Sequence, residues 1–292
     1  MPFKKYFKTL LYFLLALICV YLVFVFSFGG FGKKALVSTS AGKSDTALLF
    51  AHRGISLYYP ENSREGAEGA RLHGFRAVEL DIRRSADDQN VVFHDENCLR
   101  MLGLDQEVDS LTMAELKKYP ISLYSGKKSE AVVPTVDEFL SSAKENMIFY
   151  FDMKFSSFKD ADEIVALIKK HARERSVILT NWDILFVFYV EAKYPEIITG
   201  LEGFDAGKEW TYTLMPKNLK PDFLSGFFSH TSAEHIGWLK KNELIENRIV
   251  YGVDSTNYES ALKAGFKNII IDYDSAMNND PRITDLLRNP GN

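Results

Sequence analysis

Cysteine is scarce in this chain, and so is any surplus of positive charge. The two cysteines are Cys19, inside an N-terminal apolar run, and Cys98, which stands alone, so no internal disulfide framework is available and no redox chemistry is indicated. Lysine and arginine number 35 against 39 acids; because residues 1–34 hold five lysines and no acid, the remainder carries −9. A domain that acidic lacks the clustered cations on which phosphate-backbone affinity rests, which excludes nucleic acid as the expected partner. Missing too are a G-x-G-x-x-G turn behind the first strand-like run and the short helical or C-x-x-C spacings typical of zinc ligands. What remains is a chain of 292 residues, 46% hydrophobic and 13% aromatic, enough for one large α/β domain or two small ones.

The longest apolar run, Leu10 to Phe28, has 19 residues without a charge, about the ~20 needed to cross a bilayer core as a helix. That length, and the weakness of any small-x-small site in "SFGGFGKKALVSTSAG", favour a retained anchor over a cleaved signal peptide. Cys19 follows Ile18 deep in the run, a poor setting for lipid attachment. Lys4, Lys5 and Lys8 precede the run and Lys33 and Lys34 follow it, so the positive-inside rule favours a cytoplasmic N-terminus and an extracytoplasmic domain. Residues 1–34 then form a tail and transmembrane anchor. Residues 35–46, with the small and polar "VSTSAGKSD", form a linker, and residues 47–292 the domain.

Within the domain, apolar strand-like runs recur as "ALLFAH", "RAVELDI", "MIFYFDMK", "SVILTN", "IITGLEG", "PDFLSGFF", "RIVYGVD" and "NIIIDY". Most are separated by helical patterns such as "DADEIVALIKKHARER" and "SAEHIGWLKKNEL", so strands alternate with helices as parallel βα units require. Eight units predict a (β/α)8 barrel, with a doubly wound open sheet as the alternative. The run "VVFHD" follows "ELDIR" too closely for a parallel crossover and is expected to be the return arm of a hairpin. His94 then lies at the rim where the second strand ends. The chain from Glu96 to Asn146 becomes an insertion after that strand, with short helices in "TMAELKKY" and "TVDEFLSSAK".

Glu79 and Asp81 in "VELDI" are two apart in a strand and project to one face. They could be solvated acids on an edge strand, but Val78, Leu80 and Ile82 argue for burial, and buried paired acids need a cation. Asp152 and Lys154 repeat the spacing in the third strand, where an ordinary salt bridge is the plain explanation. At the top of a barrel, however, such acids converge. Asp152 then completes a three-carboxylate site for a hard divalent cation, Ca2+ or Mg2+, and Lys154 is left to meet an anion. His52 and His94 fall at strand ends on the same rim, where one imidazole can act as base and the other as acid.

"AHRG", "PENS", "ELDIR", "VVFHD" and "FDMK", in this order, resemble the glycerophosphodiester phosphodiesterase family, and the likeness reaches more weakly to "GFKNIIIDY". The resemblance implies a metal-dependent phosphodiesterase on a (β/α)8 barrel. Glu79, Asp81 and Asp152 match its metal ligands, His52 and His94 its acid/base pair, Arg53 its phosphate-binding arginine and Lys154 its motif lysine. Three departures stand out: Asp152 where the family usually has Glu, "TNW" after the fourth strand, and "YGVDSTN" at the seventh. They touch the rim that meets the substrate's alcohol. Two other readings stay open. One is a lysophospholipase D or phosphoinositide-type phosphodiesterase acting on lipids, which the anchor and the Phe-rich "DILFVFYV" and "SGFFSH" would suit; the other is a catalytically silent, membrane-tethered binding module.

Overall fold

The computed structural model describes residues 2–27 and 47–288. Residues 35–46, read as a linker, lie outside the described residues, as do the last four. Helix α1 (Pro2–Ser27) carries an exposed window, Tyr6–Val23, of mean hydropathy 2.1, long and apolar enough to cross a membrane. Length and composition alone say so; a signal sequence passes the same test.

The domain is a closed barrel. Its strands are β1 (Leu48–His52), β2 (Ala77–Arg84), β3 (Asn90–Val92), β4 (Ile148–Met153), β5 (Val177–Asn181), β6 (Ile198–Leu201), β7 (Phe223–Phe227), β8 (Arg248–Val253) and β9 (Asn268–Ile271). All but β3 pair in parallel, and β1 bonds both β2 and β9, which closes the ring. β3 pairs antiparallel to β2, Ile82 opposite Val92, so the hairpin expected for "VVFHD" forms.

Period-2 alternation divides each barrel strand between two cores. Leu48, Phe50, Ala77, Ile148, Tyr150, Ile178, Ile198, Phe223, Ile249 and Ile270 cluster together in the barrel interior. Their neighbours, such as Val78, Leu80, Phe149, Phe151, Leu179 and Val250, belong instead to the core beneath the outer helices. Helix α6 (Phe158–Lys170) illustrates why those helices form where they do. Ser157 and Asp160 make a reciprocal cap at its start, and Ala161, Ile164, Val165 and Ile168 recur at helical spacing on its buried face. Truncating Ile164 to alanine removes a fully buried side chain from that face and costs about 2–5 kcal/mol.

The insertion is smaller than the motif spacing suggests. Helices α3 (Leu99–Leu102) and α4 (Met113–Leu116) share a separate small core with Val91, Phe93, Cys98, Leu111 and Val133. Helix α5 (Val136–Ser142), expected to be part of the insertion, buries Val136, Phe139 and Leu140 in the main core and leads into β4. It is the barrel's own crossover helix. Cys98 is fully buried in the small core, and burial pushes its thiol up to about 11, which keeps it unreactive.

Candidate active site

The C-terminal ends of the barrel strands open on a cavity of about 430 Å³ lined by His52, Arg53, Glu79, Asp81, His94, Asp152 and Lys154 among others. Every site residue expected from the sequence is therefore in one pocket. Register does much of this: His52 of β1 lies beside Glu79 of β2, and Asp81 of β2 beside Asp152 of β4. Oxygens from Glu79, Asp81 and Asp152, all buried, lie within 4.8 Å of one another.

The loop behind β1 builds the near wall. Arg53 adopts φ +55, a left-handed conformation unusual for a non-glycine residue and one that costs about 1–3 kcal/mol. Its N–H donates to Glu79 Oε2 at 3.1 Å, and its carbonyl accepts from the Asn62 N–H at 3.0 Å. Gly54 follows at φ +85, where a Cβ would come within 2.6 Å of the Gly66 carbonyl carbon, so no larger residue fits. In "PENS", Asn62 grips Asp81 from both sides: Nδ2 donates to Oδ2 at 2.8 Å and Oδ1 accepts from the Asp81 N–H at 3.0 Å. Ser63 caps helix α2 (Arg64–Leu72) by accepting from the Gly66 N–H at 2.9 Å.

Electrostatics separate the two strand-mates. Burial and then the Asp81 charge push the Glu79 carboxyl up to about 8. Asp81 is equally buried, yet Lys154 and then Arg53 outweigh the burial and hold its carboxyl below the usual range. Arg53 Nε sits 3.2 Å from Asp81 Oδ2, and the Lys154 ammonium pairs with Asp81 Oδ1 at 2.8 Å and with Asp152. Lys154 thus stands against the carboxylates and offsets part of their charge. Glu79 is left raised by burial and by the neighbouring carboxylates, and a buried all-oxygen donor set of this kind fits a hard divalent cation.

Each imidazole is fixed through Nδ1. His52 Nδ1 donates to Asp272 Oδ1 at 2.5 Å, and His94 Nδ1 donates to Asp95 Oδ1 at 2.7 Å. A carboxylate only accepts, so each Nε2 is left to take or give a proton. His52 is half-buried, and that burial opposes protonation, but the Asp272 hydrogen bond and the Glu79 charge outweigh it and raise the pKa. Sequence reasoning did not reach Asp272, Asp95 or Glu202. Glu202, behind β6 in "IITGLEG", lines the same pocket, and burial followed by the Asp152 charge holds its carboxyl well above the usual range. Asp272 directly follows the last strand, in "NIIIDY", and that position was its available signal.

A barrel mouth with three converging carboxylates and two tethered imidazoles has groups that could hold a cation and move protons, as hydrolysis of a phosphorus ester requires. Residues 52–246 match the model of the glycerophosphoryl diester phosphodiesterase family. The chain belongs to this family and is a phosphoric diester hydrolase. Glycerophosphodiester phosphodiesterase of Caldanaerobacter subterraneus is 25% identical over 240 residues, 77% of this chain and 93% of that protein. Human lysophospholipase D GDPD3 is 36% identical over 84 residues, 29% of this chain and 26% of that protein. Some other curated relatives are matched over less than half of their length. Among solved structures, a phosphodiesterase of Oleispira antarctica in complex with sn-glycerol-3-phosphate superposes with a TM-score of 0.67 at 21% identity, covering 78% of this chain and 93% of that one.

Proposed function

We propose that the chain is a membrane-anchored, cation-dependent enzyme that hydrolyses glycerophosphodiesters to an alcohol and glycerol phosphate. The observation that carries this reading is the register of β1, β2 and β4, which gathers His52, Glu79, Asp81 and Asp152 at one mouth, with His94 lining the same pocket. Glu79, Asp81 and Asp152 would hold one Ca2+ or Mg2+, which when bound neutralises charge on the phosphoryl oxygens. Arg53 and Lys154 add fixed positive charge for the phosphodiester. A substrate hydroxyl beside the ester attacks phosphorus and the bond to the departing alcohol breaks. One imidazole takes the hydroxyl proton through Nε2 while the other gives its proton to the leaving oxygen. Water then opens the resulting cyclic phosphodiester with the two roles exchanged, which returns both imidazoles to their starting state.

The test is a hydrolysis panel on the full chain, with glycerophosphodiesters and lysophospholipids, each with Ca2+, Mg2+ or chelator. Glycerol phosphate released only with a divalent ion is expected; activity unaffected by chelator would defeat the cation assignment. Lysophospholipids form a second reading, favoured by exposed apolar side chains at the end of β7, Phe227, and on the segments that follow β5 and β6: Trp182, Leu185, Trp210 and Leu214. The anchor reading rests on α1 and expects the protein to stay in the membrane fraction after carbonate washing, with an intact N-terminus. Release into the wash would contradict it.

A further inference from the structure

One residue of the insertion touches both polar flanks of the site without entering it. Arg100, on α3, donates from Nε to Asp95 Oδ2 at 2.6 Å and from NH2 to Asp95 Oδ1 at 2.8 Å. The same guanidinium donates from NH1 to Glu61 Oε2 at 2.8 Å and from NH2 to Glu61 Oε1 at 2.6 Å. Each carboxylate passes the contact inward. Asp95 Oδ1 accepts from His94 Nδ1 at 2.7 Å, and Glu61 Oε1 accepts from Arg53 NH1 at 3.3 Å.

We propose that Arg100 is a positioning residue that holds His94 through Asp95 and Arg53 through Glu61, so that the insertion is part of the reaction apparatus. The inference rests on the reading above, in which His94 moves a proton and Arg53 binds the phosphodiester. Its physical basis is the fork of the guanidinium. The planar group binds two carboxylates bidentately and sets the angle between them, which a lysine ammonium cannot do. Glu61 is only 8% exposed, and its other cation, Arg53, is shared with Asp81. Without Arg100, Glu61 draws Arg53 toward itself and out of the pocket. Asp95, held then by His94 alone, is free to turn and take the imidazole with it.

The experiment measures kcat and KM of Arg100→Ala, Arg100→Lys and Asp95→Asn beside His94→Ala and Arg53→Ala, on an unactivated glycerophosphodiester and on a nitrophenyl phosphodiester. Misplacement of this kind is expected to lower kcat about 10- to 10²-fold on the unactivated ester in both Arg100 variants. Arg100→Ala should also raise KM, in the direction of Arg53→Ala. Its dependence on the leaving group should follow that of His94→Ala, and Arg100→Ala should add little to the kcat loss in a His94→Ala background. Arg100→Lys keeps the charge and is expected to keep the melting temperature while losing rate, which a purely structural role would not produce. Asp95→Asn breaks the relay with Arg100 intact, and should reproduce the kcat loss if Arg100→Ala does not fold. Wild-type kcat and KM in Arg100→Lys and Asp95→Asn, or a full independent loss in the His94→Ala background, would overturn the inference. Full activity in His94→Ala and Arg53→Ala would instead overturn the reading beneath it.

Discussion

The two sides of the barrel mouth differ in almost every physical respect. On the side of β1, β2 and β4, the acids Glu79, Asp81 and Asp152 are buried among half-buried cations and an imidazole, and these groups are held by partners: Asp81 by Asn62, Arg53 and Lys154, His52 by Asp272. Beyond β5, β6 and β7, large apolar side chains face solvent, with Trp182 and Trp210 each 65% exposed. Buried charge in a protein interior is stable only when its partners are fixed, so the first side has one geometry and suits the chemistry that all diesters share. Exposed aromatic surface imposes no such geometry and suits contact with whatever the phosphate carries. On the function proposed above, reaction belongs to the first side and substrate choice to the second, where Phe227 reaches the pocket itself and Trp182 and Trp210 stand outside its lining.

Breaking the charged side has the largest expected effect. Glu79→Ala, Asp81→Ala and Asp152→Ala each remove one of three oxygen donors, and each is expected to weaken divalent-ion binding by more than about 10²-fold, with activity lost in parallel. Calorimetry with Ca2+ and Mg2+ measures it, and unchanged affinity in all three would dissolve the cation site. Next come the imidazoles. His52→Ala and His94→Ala should each lower kcat about 10²-fold or more on an unactivated diester, the usual contribution of one positioned acid or base. On a nitrophenyl diester, whose leaving group needs no acid, one of the two variants should recover much of its loss and the other should not. Equal losses on both substrates would contradict a divided acid and base.

A smaller effect separates the proton from the ion. Because the Glu79 carboxyl is pushed up to about 8, the folded protein holds a proton there that the unfolded chain gives up at lower pH. The ion-free fold therefore loses stability as pH rises from the ordinary carboxylate range through about 8, and an ion has to displace that proton below this pH. Affinity should fall up to about tenfold per pH unit below about 8. Melting temperatures with and without Ca2+ check the sign: the stabilisation should be larger at about pH 9 than at about pH 6. The reverse order would exclude Glu79 as the group displaced.

The aromatic side should yield the smallest change and the most selective one. Trp182→Ala and Trp210→Ala are expected to lower kcat/KM a few-fold on lysophospholipid vesicles, as loss of one partly exposed aromatic contact implies, about 1 kcal/mol. On a water-soluble glycerophosphodiester the same variants should match the parent. Equal losses on both substrates would assign these side chains to packing, and the contrast between the two sides of the mouth would disappear.

Much of the candidate site was legible because strand periodicity is local. Two residues of spacing set Glu79 and Asp81 on one face, and the same spacing carried Asp152 and Lys154. The hairpin that brings His94 to the rim followed from a connection too short for a parallel crossover. Helix α5 was misread as part of the insertion because its pattern, Val136, Phe139 and Leu140, says that a face is buried without saying against which core. Glu202, Asp272 and the contact between Arg100 and Glu61 were missed for a related cause. Their partners lie far away in the chain, and nothing local distinguishes them from solvated side chains.

The sequence by itself determined the alternation of strands and helices, the anchor-length apolar run and the residue types that gather at the mouth, since each depends on periodicity or composition within a short window. Only the tertiary structure decided which carboxylate carries an ordinary charge and which does not. Glu79 and Asp81 are two residues apart and both buried, yet one is raised and the other lowered. The difference comes from Lys154 and Arg53, which reach Asp81 from other strands and loops once the barrel closes. A side chain's ionisation is set by its neighbours in space, and the fold chooses those neighbours.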